Sequence, residues 1–271
     1  MRRLLIALLF VFASLPVAGV NTVVVMRHAA AGGAFCDGTF ADCDDFSSTL
    51  ASWLITADDC IGNDDPDVCC SGSGTGTCSN GTTWTITSGE LIGPGTATNA
   101  LAIARAAAAG GLTQYGWVKL VTYSGQYGLM FRYSTADSPE RAYGVVCQSS
   151  DNKCFWSTYN ALTWEWTNDN AECVLTFSAG DYLGGKVTGT STATVVEIWK
   201  STTIPTAAPT GTADCKFNTG GGSPYCTGTS CVCTNANCAP SAAADLGLKI
   251  GIVYEGVDTG KKFDNWAGGG S

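Results

Sequence analysis

Histidine is almost absent from this chain, which limits the catalytic chemistry that the chain can perform. Its 271 residues include one histidine, His28, which lies beside an apolar N-terminal stretch. A serine triad or a cysteine–histidine pair needs a histidine that can act as the base in an active site. The sequence therefore predicts no histidine-based catalysis.

Charge is also scarce, and basic charge is not clustered. Charged residues make up 14% of the chain, and the formal net charge is −9. Proteins that bind nucleic acid neutralise phosphates with clustered Lys and Arg, and no such run occurs here. An acidic surface is equally unsuited to anionic lipid. We therefore expect neither nucleic acid nor a membrane surface as a partner.

Long apolar runs are missing, except at the N-terminus. Met1-Arg2-Arg3 precedes an apolar stretch from Leu4 to Val20, which is typical of a secretory signal. We predict a signal peptide over residues 1–19, with cleavage after Gly19 or later, up to residue 31. The alternative is a retained membrane anchor that extends through Met26. After cleavage no segment approaches the ~20 apolar residues of a membrane helix, so we expect a secreted, extracellular protein.

Cysteine, in contrast, is abundant. Fourteen cysteines behind a signal peptide predict a disulfide framework. A zinc site would need closely paired cysteines and often histidine, and only Cys231, Cys233 and Cys238 approach such a cluster. We expect Cys147 and Cys154 to close a hairpin, and the others to hold loops. The candidates are Cys36, Cys43, Cys60, Cys69, Cys70, Cys78, Cys147, Cys154, Cys173, Cys215, Cys226, Cys231, Cys233 and Cys238.

Short strand-like segments recur between turn-forming residues, a pattern typical of an all-β sandwich or barrel. We read Ser124–Tyr127 as a hairpin connection, the first half of Asn99–Ala109 as a strand, and Ile204–Thr212 as an extended connector. The predicted strands are Trp84–Thr87, Tyr115–Tyr123, Gly128–Tyr133, Ala142–Gln148, Leu162–Trp166, Glu172–Phe177, Tyr182–Thr188, Thr194–Trp199, Leu248–Tyr254 and Lys262–Trp266.

Four segments, read in order, resemble the laminin G-like branch of the concanavalin A-like lectin/glucanase superfamily. They are Thr82–Thr96, Tyr127–Ser134, Phe177–Lys200 and Gly247–Gly269. The resemblance implies an antiparallel β-sandwich, a concanavalin A-like jelly roll, over residues 44–269 after an N-terminal extension at 20–43. Disulfide-rich insertions at 58–81 and 213–240 depart from the family pattern. The resemblance also implies that the first and last strands lie side by side.

Laminin G-like relatives often hold calcium, so the resemblance implies a structural Ca²⁺ site between the terminal strands. Its expected ligands are Asp44, Asp45, Asp264 and Asn265, because hard cations bind several oxygen atoms. A second acidic stretch runs from Asp58 to Asp67. The alternative is that these acids are solvated or cap turns.

The superfamily includes glycoside hydrolases, which need two carboxylates flanking the scissile bond, about 5–5.5 Å apart in retaining enzymes. Glu165 and Glu197 each stand alone in their strand patterns. We therefore predict that the chain is not an enzyme, and a degenerate polysaccharide hydrolase or lyase is the weakest alternative.

Aromatic residues favour a binding role. Trp164 and Trp166 share one strand face, and Trp156 and Tyr159 precede them in a predicted loop. Exposed rings stack on sugars, whereas buried rings would only fill the core. Asn80 begins a glycosylation sequon. The leading hypothesis is a secreted, non-catalytic module that binds a glycan or an extracellular surface. The alternative is a self-assembling structural subunit of a filament, coat or particle.

Overall fold

The computed structural model describes most of the chain from residue 35 onward. The described residues are 35–37, 39–47, 49–58, 72–73, 84–93, 101–105, 111, 113–134, 141–160, 165–189, 194–218, 230–232, 249–255 and 262–270. The predicted signal peptide, the sequon at Asn80, Trp164 and most of both predicted insertions lie outside these ranges. The domain limits 44–269 stay a prediction.

Seventeen described strands and one short 3-10 turn at Leu50–Ser52 make up the regular structure. The strands are β1 Asp42–Asp44, β2 Trp53–Asp58, β3 Gly72–Ser73, β4 Thr85–Thr87, β5 Glu90–Ile92, β6 Leu101–Arg105, β7 Gln114–Leu120, β8 Gln126–Ser134, β9 Arg141–Gln148, β10 Lys153–Asn160, β11 Glu165–Val174, β12 Tyr182–Thr188, β13 Val195–Ser201, β14 Cys215–Asn218, β15 Ser230–Val232, β16 Lys249–Glu255 and β17 Lys262–Gly270. Within the described ranges, no helix is long and apolar enough to cross a membrane.

The strands form two sheets that pack face to face as a jelly-roll sandwich. The described strands of the nine-stranded sheet follow the order β15-β14-β13-β12-β7-β17-β5-β4, with β1 also paired to β17. Those of the eight-stranded sheet follow the order β11-β10-β9-β8-β16-β6-β2-β3. Pairing is antiparallel except between β14 and β15. The pairing of β1 with β17, in which Asp44 lies opposite Trp266, confirms the expected neighbourhood of the first and last strands.

Large apolar side chains fill the space between the sheets because alternate residues of each strand face inward. Trp53 of the eight-stranded sheet and Trp266 of the nine-stranded sheet are both fully buried. Their ring centroids lie 5.1 Å apart, with the ring planes inclined at 74°. This edge-on contact ties the two sheets together at the centre of the sandwich.

Three disulfides among the described residues hold different parts of the sandwich. Cys147–Cys154 joins β9 to β10 and confirms the predicted hairpin closure. Cys173–Cys215 joins β11 of one sheet to β14 of the other. Cys36–Cys43 closes a loop before β1. Of the remaining predicted cysteines, Cys231 lies in β15 with no described side chain, and the other seven lie outside the described residues.

Most predicted strands are confirmed within two or three residues, including β6 in the first half of Asn99–Ala109. Ile204–Thr212 is an extended connector without strand structure, as predicted. β4 and β5, within the segment Thr82–Thr96, are joined by a turn at Ser88-Gly89. Both residues have positive φ, 55° and 80°, between the paired residues Thr87 and Glu90. Positive φ at both central residues is what a two-residue hairpin turn requires.

The predicted hairpin at Ser124–Tyr127 is wrong. β7 belongs to the nine-stranded sheet and β8 to the eight-stranded sheet, so the chain crosses between sheets here. A short polar connection suits both a hairpin and such a crossing, and only the partners of each strand distinguish them. Leu162–Trp166 and Glu172–Phe177 are likewise not two strands, because β11 runs without a break from Glu165 to Val174.

Candidate functional site

An aromatic pair lies across strands β10 and β11, at the edge of the eight-stranded sheet. Tyr159 is the register partner of Trp166. Residues directly opposite on one face of an antiparallel pair have β-carbons about 4.5–5.5 Å apart. The neighbouring partners are polar, with Asn160 opposite Glu165 and Ser157 opposite Asn168. We call residues 157–160 and 165–168 the aromatic ribbon.

The first half of β10 alternates between the core and the other face of the sheet. Cys154 and Trp156 are fully buried in the core between the sheets. Phe155, between them, is half-buried on the opposite face. Farther along the strand, the backbone register places Tyr159 opposite Trp166.

The structure overturns the interpretation of Trp156 as a ligand contact in a loop. Trp156 lies within β10, is fully buried, and packs with its ring centroid 5.2 Å from that of Tyr143. A side chain with no exposed surface has nothing to offer a sugar, so Trp156 has a packing role. Lys153–Asn160 alternates small or polar with bulky residues only weakly, so it was not among the predicted strands.

An ion pair holds the other end of the β10–β11 ribbon. Lys153 Nζ lies 2.8 Å from a carboxylate oxygen of Glu172 and 3.8 Å from Asp151. The hydrogen bond to Glu172 raises the pKa of Lys153 above its usual value, and burial opposes this shift. The ion pair links β10 to β11, and Cys147–Cys154 links β10 to β9, both at the end of β10 away from the aromatic ribbon.

Protein donors already engage the first two of the four expected calcium ligands. Asp44 accepts hydrogen bonds from the indole N–H of Trp53 at 2.8 Å and from the backbone N–H of Phe46 at 2.8 Å. Asp45 accepts one from the backbone N–H of Ser47 at 3.1 Å. These are the contacts of turn-capping carboxylates.

The other two ligands are engaged as well. Asp264 Oδ2 lies 3.0 Å from Lys119 Nζ and accepts a hydrogen bond from Asn265 at 3.2 Å. Burial lowers the pKa of Lys119, but the hydrogen bond and charge of Asp264 outweigh it and raise that pKa. Within the described ranges no three His, Cys, Asp or Glu side chains form a group suited to a metal. The described residues do not fit a calcium site, and the stretch from Asp59 to Asp67 lies outside them.

The two carboxylates considered for catalysis lie in different sheets. Glu197 in β13 is 3.3 Å from Lys216, and its two register partners, Lys186 and Lys216, are both lysines. Glu165 begins β11 in the other sheet. They therefore cannot act as a pair on one glycosidic bond.

Sequence reasoning missed a second group of aromatic residues, on the outer face of the nine-stranded sheet. Trp117, Tyr182 and Trp199 pack there with Phe35 and Phe40. The first three occur in predicted strands, but the alternation of a strand does not show whether the second face is covered. The sequence signal for a second covered face was the pair Tyr115 and Trp117, at positions that alternate with the apolar Val118 and Leu120.

Comparison with known proteins finds no matching family model and no matching curated protein. Among solved structures, a carbohydrate-binding module (CBM66) of Bacillus subtilis is 11% identical, with a TM-score of 0.41, over 69% of this chain and 91% of that one. An immunostimulatory antigen and pseudo beta-1,3-glucanase of Mycobacterium tuberculosis is 13% identical, with a TM-score of 0.40, over 86% and 100%. A lichenase from a mouse hindgut metagenome is 10% identical, with a TM-score of 0.41, over 85% and 99%. At this level of similarity, what the chain does has to be argued from its own residues.

Proposed function

We propose that this protein is an extracellular, non-catalytic recognition module that binds glycans through the aromatic ribbon. By strand alternation Tyr159 and Trp166 would lie on the outer face, away from buried Trp156, and would stack there on a sugar ring. Ser157 and Asn168, two positions along on the same face, would bond its hydroxyls. The observation that carries the proposal is the register of β10 and β11, which places the two aromatic residues opposite each other. We also propose, from the motif order, that the jelly roll belongs to the laminin G-like branch.

The chemistry of the ribbon suits a sugar better than an apolar ligand. Aromatic rings contribute a large apolar contact area with little conformational freedom to lose. The hydroxyl of Ser157 and the amide of Asn168 beside them would supply donors and acceptors for hydroxyl groups. An apolar ligand would leave those polar groups desolvated and unpaired, which opposes binding.

The extracellular assignment draws on the disulfides. Disulfides such as Cys173–Cys215 persist in oxidising compartments and are rare in the cytosol. The basic and apolar N-terminal segment, with Arg2 and Arg3 before Leu4, supports export independently.

Binding to an array of immobilised oligosaccharides tests the proposal. Trp166→Ala should abolish retention of the protein on any glycan that the wild type binds, with an unchanged melting temperature. Val174→Ala is the matched control, because Val174 ends the same strand and is 75% exposed. If Trp166→Ala binds as well as this control does, the ribbon is not the site.

Self-assembly is the second candidate function, and the same edge of the sheet favours it. Among the described strands, the ten-residue β11 is the outermost of the eight-stranded sheet. A long edge strand presents backbone groups on which another chain can pair. Light scattering and electron microscopy of the secreted protein test this candidate, and a dispersed monomer at all concentrations would eliminate it.

A further inference from the structure

The outer face of the nine-stranded sheet carries a row of two tryptophans separated by a glycine. Gly184 in β12 is the register partner of Trp117 in β7 and of Trp199 in β13. A β-carbon added at Gly184 would collide with the ring of Trp117. The Trp117 ring therefore lies against the sheet, over the glycine. Tyr182 lies two residues before Gly184 on the same face. We call Trp117, Tyr182, Gly184 and Trp199 the outer platform.

Two segments cover the outer platform. One is a short loop before β1, residues 35–37 and 39–41, which we call the cap and which Cys36–Cys43 ties to β1. The other is the connector between β13 and β14, in which the carbonyl of Ala207 accepts a hydrogen bond from the indole N–H of Trp117 at 3.0 Å. The ring of Phe35 stacks on that of Tyr182, with centroids 5.6 Å apart and planes 14° apart. Phe40 lies beside it, with its centroid 5.3 Å from that of Phe35. The near-parallel ring of Phe35 occupies the position that a stacked sugar ring would take.

Local contacts attach the cap to the sandwich. The backbone N–H of Thr39 donates to the carbonyl of Thr206 at 2.9 Å, and that of Ala41 reaches the hydroxyl of Tyr115 at 3.4 Å. From Asp42 onward the chain pairs with β17. A segment attached in this way opens at a lower free energy than the strands beneath it. Opening the cap need not disturb β1 or the core.

Polar groups border the outer platform on both sides. Lys119 and Asp264 form an ion pair of 3.0 Å at one side, and Lys216 and Glu197 form one of 3.3 Å at the other. The indole N–H of Trp199 has no acceptor among the described residues, although only 7% of this residue is exposed. A buried donor without an acceptor favours a ligand that brings an oxygen to it.

We propose that the outer platform is a second sugar-binding site and that the N-terminal cap is its built-in competitor, with Phe35 in the place of the sugar ring. When the cap opens, a pyranose takes the place of Phe35 on Tyr182, beside Trp199, and one of its hydroxyls accepts the Trp199 N–H. The side chains of the two ion pairs bond the remaining hydroxyls. This site lies on the opposite sheet from the aromatic ribbon and does not depend on it.

The test uses a full-length variant in which the cap is released and the ribbon is silenced. Phe35→Ser, Cys36→Ser and Cys43→Ser release the cap, and Trp166→Ala removes ribbon binding. We expect this variant to be retained on the oligosaccharide array, whereas Trp166→Ala alone is not. Adding Trp199→Ala should reduce the new retention at least about tenfold, as expected for the loss of one stacking aromatic. Adding Val174→Ala instead should leave it unchanged.

Accessibility is measured in the same samples by oxidising tryptophans with N-bromosuccinimide and mapping the products by mass spectrometry. Trp199 should react in the released variant and stay protected with the cap in place, whereas Trp117 should stay protected in both by its contact with Ala207. Reactive tryptophans without glycan retention would overturn the proposal, and so would persistent protection. Concentration-dependent dimerisation of the released variant without retention would make the platform a site for another chain, which also contradicts it.

A second variant covers the case in which the released variant does not fold. A chain that begins at Ala41 keeps β1 and removes Phe35 and Phe40. Retention of this truncated chain on the array, abolished by Trp199→Ala, supports the proposal. If neither variant folds, the cap is an inseparable part of the structure and the proposal is wrong.

Discussion

The two faces of the nine-stranded sheet carry similar residues under very different covers. On the inner face, Trp266 packs against Trp53 of the facing sheet, and both rings are fully buried. On the outer face, Trp117 and Trp199 lie under the N-terminal cap and the connector between β13 and β14, and are 6% and 7% exposed. Near-equal burial therefore does not mean equal stability, because exposing the inner rings separates two sheets, whereas exposing the outer rings moves only loops.

The largest expected effect is on the inner face. Trp266→Ala should lower the free energy of unfolding by about 3–5 kcal/mol, because the facing sheet cannot close the cavity. Chemical denaturation measures this loss. Trp117→Ala is the matched variant on the neighbouring strand, and it should lose clearly less. Equal losses would contradict the claim that the inner rings contribute more to stability than the outer rings.

The two disulfides Cys173–Cys215 and Cys36–Cys43 should differ in the same way, one between the sheets and one at the cap. Replacing Cys173 and Cys215 by Ala should destabilise the protein by about 4 kcal/mol, because the bond closes a loop with a sequence separation of 42. Replacing Cys36 and Cys43, separated by 7, should lower the free energy of unfolding by no more than about 2 kcal/mol. Denaturation midpoints of the two double variants test this order, and a costlier loss at Cys36–Cys43 would reverse it.

A cap residue should show an intermediate effect that is local. Phe35→Ala should lower global stability by only about 1–2 kcal/mol, less than a core Phe→Ala change, because the cap opens without the sheets. Hydrogen exchange should show faster exchange at residues 35–37 and 39–41 and unchanged exchange in β7 and β12. Uniform acceleration across both sheets would show that the cap belongs to the same cooperative unit as the core.

The smallest effect is expected at Tyr123, a partly buried residue that packs against the core between the sheets. Burial, aided by the charge of Asp151, raises the pKa of Tyr123 to about 12. Its ring lies near those of Tyr127 and Phe177. Since the folded state holds the neutral phenol, this contribution to stability is complete below pH 10, the unfolded pKa, and is lost as the pH rises toward 12.

Alkaline denaturation of Tyr123→Phe tests that window. The variant should lose less stability than the wild type between pH 10 and pH 12, and absorbance near 295 nm should show one fewer late-titrating tyrosine. Identical pH profiles of stability would show that the Tyr123 hydroxyl is solvated and that burial does not raise its pKa.

The strands themselves were largely predictable, because alternation and turn residues are local properties. Tyr182–Thr188 was predicted at its observed bounds, and the Cys147–Cys154 hairpin follows from two strands joined by a short turn. The candidate site was predictable only in part. Tyr159 and Trp166 were recognised as aromatic candidates, but their pairing needed the register of β10 against β11, which local sequence does not encode.

The sequence by itself determined the all-β character and the disulfide chemistry, because residue periodicity and cysteine number are properties of the chain. Only the tertiary structure decided that the β7–β8 connection crosses between sheets, that Trp156 is core, and that Trp117 and Trp199 lie under a loop. A strand always has two faces of alternating residues. Which face is covered, and by what, depends on segments far away in the chain that approach it only in the folded protein.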